Sequence, residues 1–106
     1  MVKITELTTA EEIHHRDMAD PAYRAEYERT QFAHDIATRI LRYRTEHGLT
    51  QTAFGRLVGM SQPHVARLES GEHEPSLSTL VKLAGALGED FTVDIKPGGA
   101  RLRQSA

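Results

Sequence analysis

The sequence predicts an all-α bundle with an N-terminal helical extension and one strand near the C-terminus. Three observations lead there. Apolar residues recur at helical spacing through 32–47, 51–58, 62–69 and 77–87. Most of these stretches carry their own punctuation: Thr50, Ser61 and Ser76 are helix-capping residues, and Gly48, Gly59 and Gly88 stand where helices end. Finally, 106 residues with three phenylalanines, three tyrosines and no cysteine make one domain with a small core and room for an appendage. Neither a disulfide framework nor a thiolate metal site is available.

Residues 1–30 form the extension. Val2 and Ile4 alternate too briefly to define an element, whereas Thr8 and Glu11 have capping-box spacing and predict a short helix over 9–18. Its large apolar residues are Ile13 and Met18, too few to bury a face unaided. Asp20-Pro21 is a second helix start. Tyr23 and Tyr27 then lie four apart on one face, and a stripe of Phe32, Ile36, Ile40 and Tyr43 follows in a different phase. That shift predicts a kink or short break near residues 29–31.

The stretch 51–68, QTAFGRLVGMSQPHVARL, organises the body. Phe54, Leu57 and Val58 share a face of its first helix. Val65 and Leu68 share one of the second, which Ser61 caps and Pro63 opens in its first turn. Gly59 can take the left-handed turn between them, and Gly55 faces the point where the two helices cross. Two short helices meeting at such a corner form a helix–turn–helix, whose second helix is offered to the DNA major groove.

After the helix over 77–87, residues 91–96 (FTVDIK) alternate as a strand. A lone strand leaves its backbone groups unpaired. The expectation is therefore that Phe91, Val93 and Ile95 pair antiparallel with the same strand of a second copy. Cutting after Gly88 should then give a monomer or weak dimer. Residues 98–106 read as a flexible tail, leaving 31–97 as the DNA-binding and dimerisation body.

The chain resembles the Xre/Cro-type, lambda-repressor-like helix-turn-helix proteins over 32–95. Gln51, Gly55, Gly59, Val65 and Leu68 match their motif, and GLTQ and RLESGEHEPSLSTLVKLAGALG look like its flanks. The resemblance implies sequence-specific binding of a double-stranded DNA operator by a homodimer that represses transcription. It implies DNA-facing roles for Gln51 at a phosphate, Gln62 at adenine, and His64 and Arg67 along the helix that Ser61 opens. Pro63 departs from the pattern; contact there would be apolar. It also implies an ion pair between Arg44 and Glu69. The upstream pattern DPAYRAEYERTQF is similar to that of HigA-type antitoxins, which autoregulate their operon and neutralise a RelE/HigB-like mRNA-cleaving toxin. Tyr23 and Tyr27 are the candidate toxin contacts. The alternatives are a free-standing regulator or a protein-interaction module that does not bind DNA.

Charge and motifs bound the rest. The formal net charge is −2, with seven acidic and four basic residues in 1–30 and eight acidic and nine basic in 31–106. A near-neutral body predicts weak non-specific affinity for DNA, which two copies acting together would offset. There is no HExxH motif, phosphate-cradling glycine loop or nucleophile elbow, so neither an enzyme nor a cofactor or metal is expected. No apolar run approaches membrane-spanning length and the first residues lack a signal-peptide core, which predicts a cytoplasmic protein without a membrane partner.

Overall fold

The computed structural model describes residues 10–103. Five helices precede a hairpin: α1 (Ala10–Asp17), α2 (Pro21–His47), α3 (Gln51–Val58), α4 (Gln62–Glu69), α5 (Leu77–Leu87), β1 (Val93–Lys96) and β2 (Gly99–Leu102). Caps set the boundaries. Side-chain oxygens of Asp20, Thr50, Ser61 and Ser76 accept the backbone N–H groups of Ala22, Ala53, His64 and Thr79 at 2.9–3.2 Å. Gly48, Gly59 and Gly88 close α2, α3 and α5 in the left-handed region. Thr8, the expected cap of the first helix, lies outside the described residues, as do Val2 and Ile4.

Phe54, Ile36, Ile40, Leu83 and Val65 are fully buried and form one core with Phe32, Val58, Leu68 and Leu102. The corner between α3 and α4 is closely packed beneath it. A Cβ on Gly55 would stand 2.5 Å from the carbonyl oxygen of Met60, a backbone atom that cannot swing aside. Gly55→Ala should therefore cost about 1–3 kcal/mol by overpacking, read as a lower urea midpoint. An unchanged midpoint would mean that the corner opens freely.

The structure corrects three expectations. α2 is one helix of 27 residues, with no break near 29–31. The phase shift changes what the helix faces, from α1 to the core, and no proline or glycine interrupts the backbone there.

Second, the strand is not alone. β1 pairs antiparallel with β2 in the same chain, Val93 opposite Leu102 and Lys96 opposite Gly99. Phe91 and Val93 pack against their own core, while Ile95 is 82% exposed. The argument for a second copy from a lone strand therefore falls.

Third, residues 99–102 of the expected tail form that partner strand; residues 104–106 lie outside the described residues. Pro97-Gly98 makes a tight turn, and Leu102 enters the core at 3% exposure. Asp35 of α2 holds β2, accepting from the Leu102 N–H at 2.9 Å and from Arg101 Nε at 3.0 Å. Arg103 donates to Asp94 across the hairpin at 2.6 Å, and that hydrogen bond holds the Asp94 carboxyl below its ordinary pKa.

Candidate nucleic-acid interface

A hydrogen-bonded run links α2 to the start of α4. Arg44 donates through Nη1 to both oxygens of Glu69, at 2.7 and 2.9 Å, and through Nε to the Leu49 carbonyl at 3.1 Å. Both charged side chains are largely buried, at 19% and 11% exposure. Gln51, the first residue of α3, donates through Nε2 to Glu69 at 2.7 Å. Gln62, the first residue of α4, donates through Nε2 to Gln51 Oε1 at 2.7 Å.

The run fixes its own direction. A carboxylate only accepts, so Glu69 must receive the Gln51 amide nitrogen, which turns Gln51 Oε1 toward Gln62. Gln62 must then present nitrogen to that oxygen. Its second N–H and its Oε1 have no partner among the described residues, in the arrangement that meets adenine N7 and N6. Gln51 keeps one N–H free at the first turn of α3, where a phosphate is favoured. The guanidinium thus orients two amides that it does not touch.

Residues expected to face DNA do not all share one face of α4. Val65 and Leu68 are buried; Gln62, Pro63 and Arg67 are exposed. His64 lies two residues before Ala66, so about 160° round the helix from it. It is half-buried, on the flank beside the core. Ser61 is exposed, but its hydroxyl oxygen is engaged as the cap. Arg67 has no ion pair or side-chain hydrogen bond among the described residues, so its charge is available. Sequence reasoning missed Ala66, half-buried but lying between Gln62 and Pro63 around the helix; the 3.6-residue period, applied to polar as well as apolar positions, contains that signal. Ser70, just past the end of α4, is exposed, but its hydroxyl donates to the Arg67 carbonyl and accepts the Glu72 N–H.

Tyr23 and Tyr27 lie on α2 away from this face. His14 of α1 packs on Tyr27 with ring centroids 4.4 Å apart and is joined to the Tyr23 hydroxyl by a 3.2 Å hydrogen bond. Tyr27 is half-buried and Tyr23 exposed. Among the described residues no group of three or more His, Asp or Glu side chains converges as a metal site. No described helix is long and apolar enough to cross a membrane.

Comparison with known proteins places this geometry. The helix-turn-helix profile HTH_3 matches residues 40–93, just over half of the chain and all of α3 and α4. The chain belongs to the HTH_3 helix-turn-helix family. It is 35% identical over 58 residues, 55% of its length, to an uncharacterized HTH-type transcriptional regulator of Haemophilus influenzae. It is 40% identical over 53 residues, 50% of its length, to an immunity repressor protein of Bacillus phage phi105. A crystal structure of an HTH_3 family transcriptional regulator from Vibrio cholerae superimposes on 57% of the chain with a TM-score of 0.53 and 31% identity. The similarity spans 59%, 37% and 34% of these proteins, respectively, so each extends well beyond the shared helix-turn-helix unit.

Proposed function

We propose that this HTH_3 protein is a sequence-specific DNA-binding transcription regulator that inserts α4 into the major groove and acts as a homodimeric repressor. The observation that carries the reading is the run from Arg44 through Glu69 and Gln51, which ends on an exposed Gln62 with a free donor and a free acceptor. Such pre-orientation suits base reading, because the amide's direction is fixed before DNA arrives. Gln62 reads a base, Gln51 a phosphate, and Arg67, about one turn beyond His64, a guanine or phosphate; Pro63 and Ala66 offer apolar contact. Two copies read half-sites one helical turn apart or a multiple of it. The regulators and the phage repressor among its relatives support the same assignment.

Binding to the promoter region of its own gene tests this. Gln62→Ala and Arg67→Ala should each weaken binding by about 1–3 kcal/mol if a base contact is lost. An Arg67 that touches only phosphate should instead weaken binding on every sequence alike and lower the salt slope by about 1. Unchanged affinity in both variants at fixed salt would remove α4 from the groove.

The finer reading is an antitoxin that also neutralises a RelE/HigB-like toxin through residues 1–30. Its support is the net −3 charge of that segment and an exposed Tyr23, with a half-exposed Ile13 on the neighbouring helix. Carboxylates steer a basic RNA-cleaving partner and aromatics supply buried area. Tyr23→Ala should abolish co-purification with a basic product of the adjacent gene while leaving promoter binding intact. Retained capture would leave the extension as a brace for the bundle.

A further inference from the structure

β1 has one edge that nothing in the described chain covers. The Arg103 N–H donates to the Thr92 carbonyl at 2.7 Å, which makes residues 92 and 103 a hydrogen-bonded pair. Antiparallel ladders alternate, so residues 94 and 101 and residues 96 and 99 exchange bonds as well. The N–H and C=O groups of Val93 and Ile95 therefore point away from β2. On the far side of the hairpin the matching outward group, the Leu102 N–H, is received by Asp35. Val93 and Ile95 have no such acceptor or donor among the described residues, and the Ile95 side chain beside them is 82% exposed.

We propose that this edge is occupied by β1 of a second copy, antiparallel about a twofold axis at Ile95, giving a four-stranded sheet β2–β1–β1–β2. The proposal deepens the homodimer reading above and rests on it. Charge selects both the occupant and the register. Edge strands are commonly guarded by a charge that repels a stray neighbour. Here Asp94 and Lys96 carry opposite signs and flank Ile95 on one face, and a twofold at Ile95 sets each Asp94 opposite the partner copy's Lys96. That position is the non-hydrogen-bonded one, where side chains approach most closely. Lys96 has no ion pair within the described chain, and Asp94 already holds Arg103, so the dimer would line up alternating charges across the sheet. A twofold at Asp94 would instead press two carboxylates together. One at Val93 would set Asp94 opposite the partner copy's Thr92 and carry Lys96 beyond the four residues of β1, whereas the Ile95 register keeps both charges within the strand and leaves only the Val93 carbonyl, opposite Pro97, without a donor. The Ile95 register also buries, against its own copy, the most exposed large apolar side chain among the described residues.

The native sequence lacks cysteine, so single-cysteine cross-linking is clean. In the proposed register Ile95 faces itself as a hydrogen-bonded pair, with Cα atoms about 5.5 Å apart, within disulfide range. Full-length Ile95→Cys should oxidise to a covalent dimer, whereas Val93→Cys and Val81→Cys on α5 should not. Ile95→Pro removes an outward N–H without touching the β1–β2 ladder. With its helical circular dichroism and melting retained, it should weaken the sedimentation dimer at least about tenfold. A dimer that Ile95→Pro leaves intact and Ile95→Cys does not lock overturns this interface but keeps the homodimer, with the exposed Leu77 and Val81 face of α5 as the other surface. Preferential locking through Val93→Cys overturns the register. A wild-type chain that sediments as a monomer, alone and on DNA, overturns the homodimer itself.

Discussion

Cutting the chain after Gly88 is expected to unfold the helical body, not merely to separate two copies. The hairpin completes the core, because Leu102 reaches it at 3% exposure alongside Phe32 and Ile36. Removing that one side chain as Leu102→Ala should cost about 2–5 kcal/mol. The truncation adds the loss of Phe91 and Val93, which pack on the same cluster, and leaves Asp35 without the N–H and guanidinium it receives. Against a total stability of about 5–15 kcal/mol for a typical domain, this sum leaves little or nothing. Circular dichroism at 222 nm should show a truncated chain with much reduced helix and no cooperative melt. A cooperative melt close to that of the full chain would restore the expectation that the C-terminal segment serves only dimerisation.

Glu69→Ala should have the next largest effect, and on two properties at once. It leaves the Arg44 guanidinium, 19% exposed, with only the Leu49 carbonyl as partner among the described residues. The expected loss is about 2–4 kcal/mol, below the full cost of breaking a wholly buried pair because some solvent reaches both groups. It also releases Gln51, and through it Gln62, so DNA affinity should fall beyond what instability explains. Glu69→Gln should lose less stability, since one oxygen still accepts from Arg44. Urea unfolding and promoter binding at fixed salt together decide. A stability loss under about 0.5 kcal/mol with unchanged binding would mean that the pair is solvated and orients nothing.

Local features of the fold were legible in the sequence, and distant ones were not. Thr50, Ser61, Gly59 and Gly88 act on their own neighbours, so α3, α4 and α5 begin and end where the pattern places them. The corner at Gly55 is equally local. The hairpin was missed because Leu102 is a single apolar residue between two arginines, and nothing local says that its socket lies about 70 residues earlier. Pro97-Gly98 was the available clue, a turn dipeptide directly after a strand. The break expected near residues 29–31 arose from treating a change of hydrophobic phase as an interruption. In α2 it marks a change of neighbour. At the candidate interface, the types and spacing of Gln51, Gln62, Arg44 and Glu69 could be read one by one. Their connection into a single run could not, because it depends on α2, α3 and α4 meeting at one point.

That run is the centre of the functional account, and selecting binding sites from a randomised pool of duplex DNA tests it most directly. At one fixed salt concentration, the wild-type protein should enrich a twofold-symmetric sequence with half-sites centred about 10 base pairs apart or a multiple of that. Gln62→Ala, still folded, should enrich the same sequence with the preference relaxed at one position in each half-site, an adenine in the wild-type selection. Enrichment of no sequence by the wild type, or of an unchanged sequence by Gln62→Ala, would contradict the account.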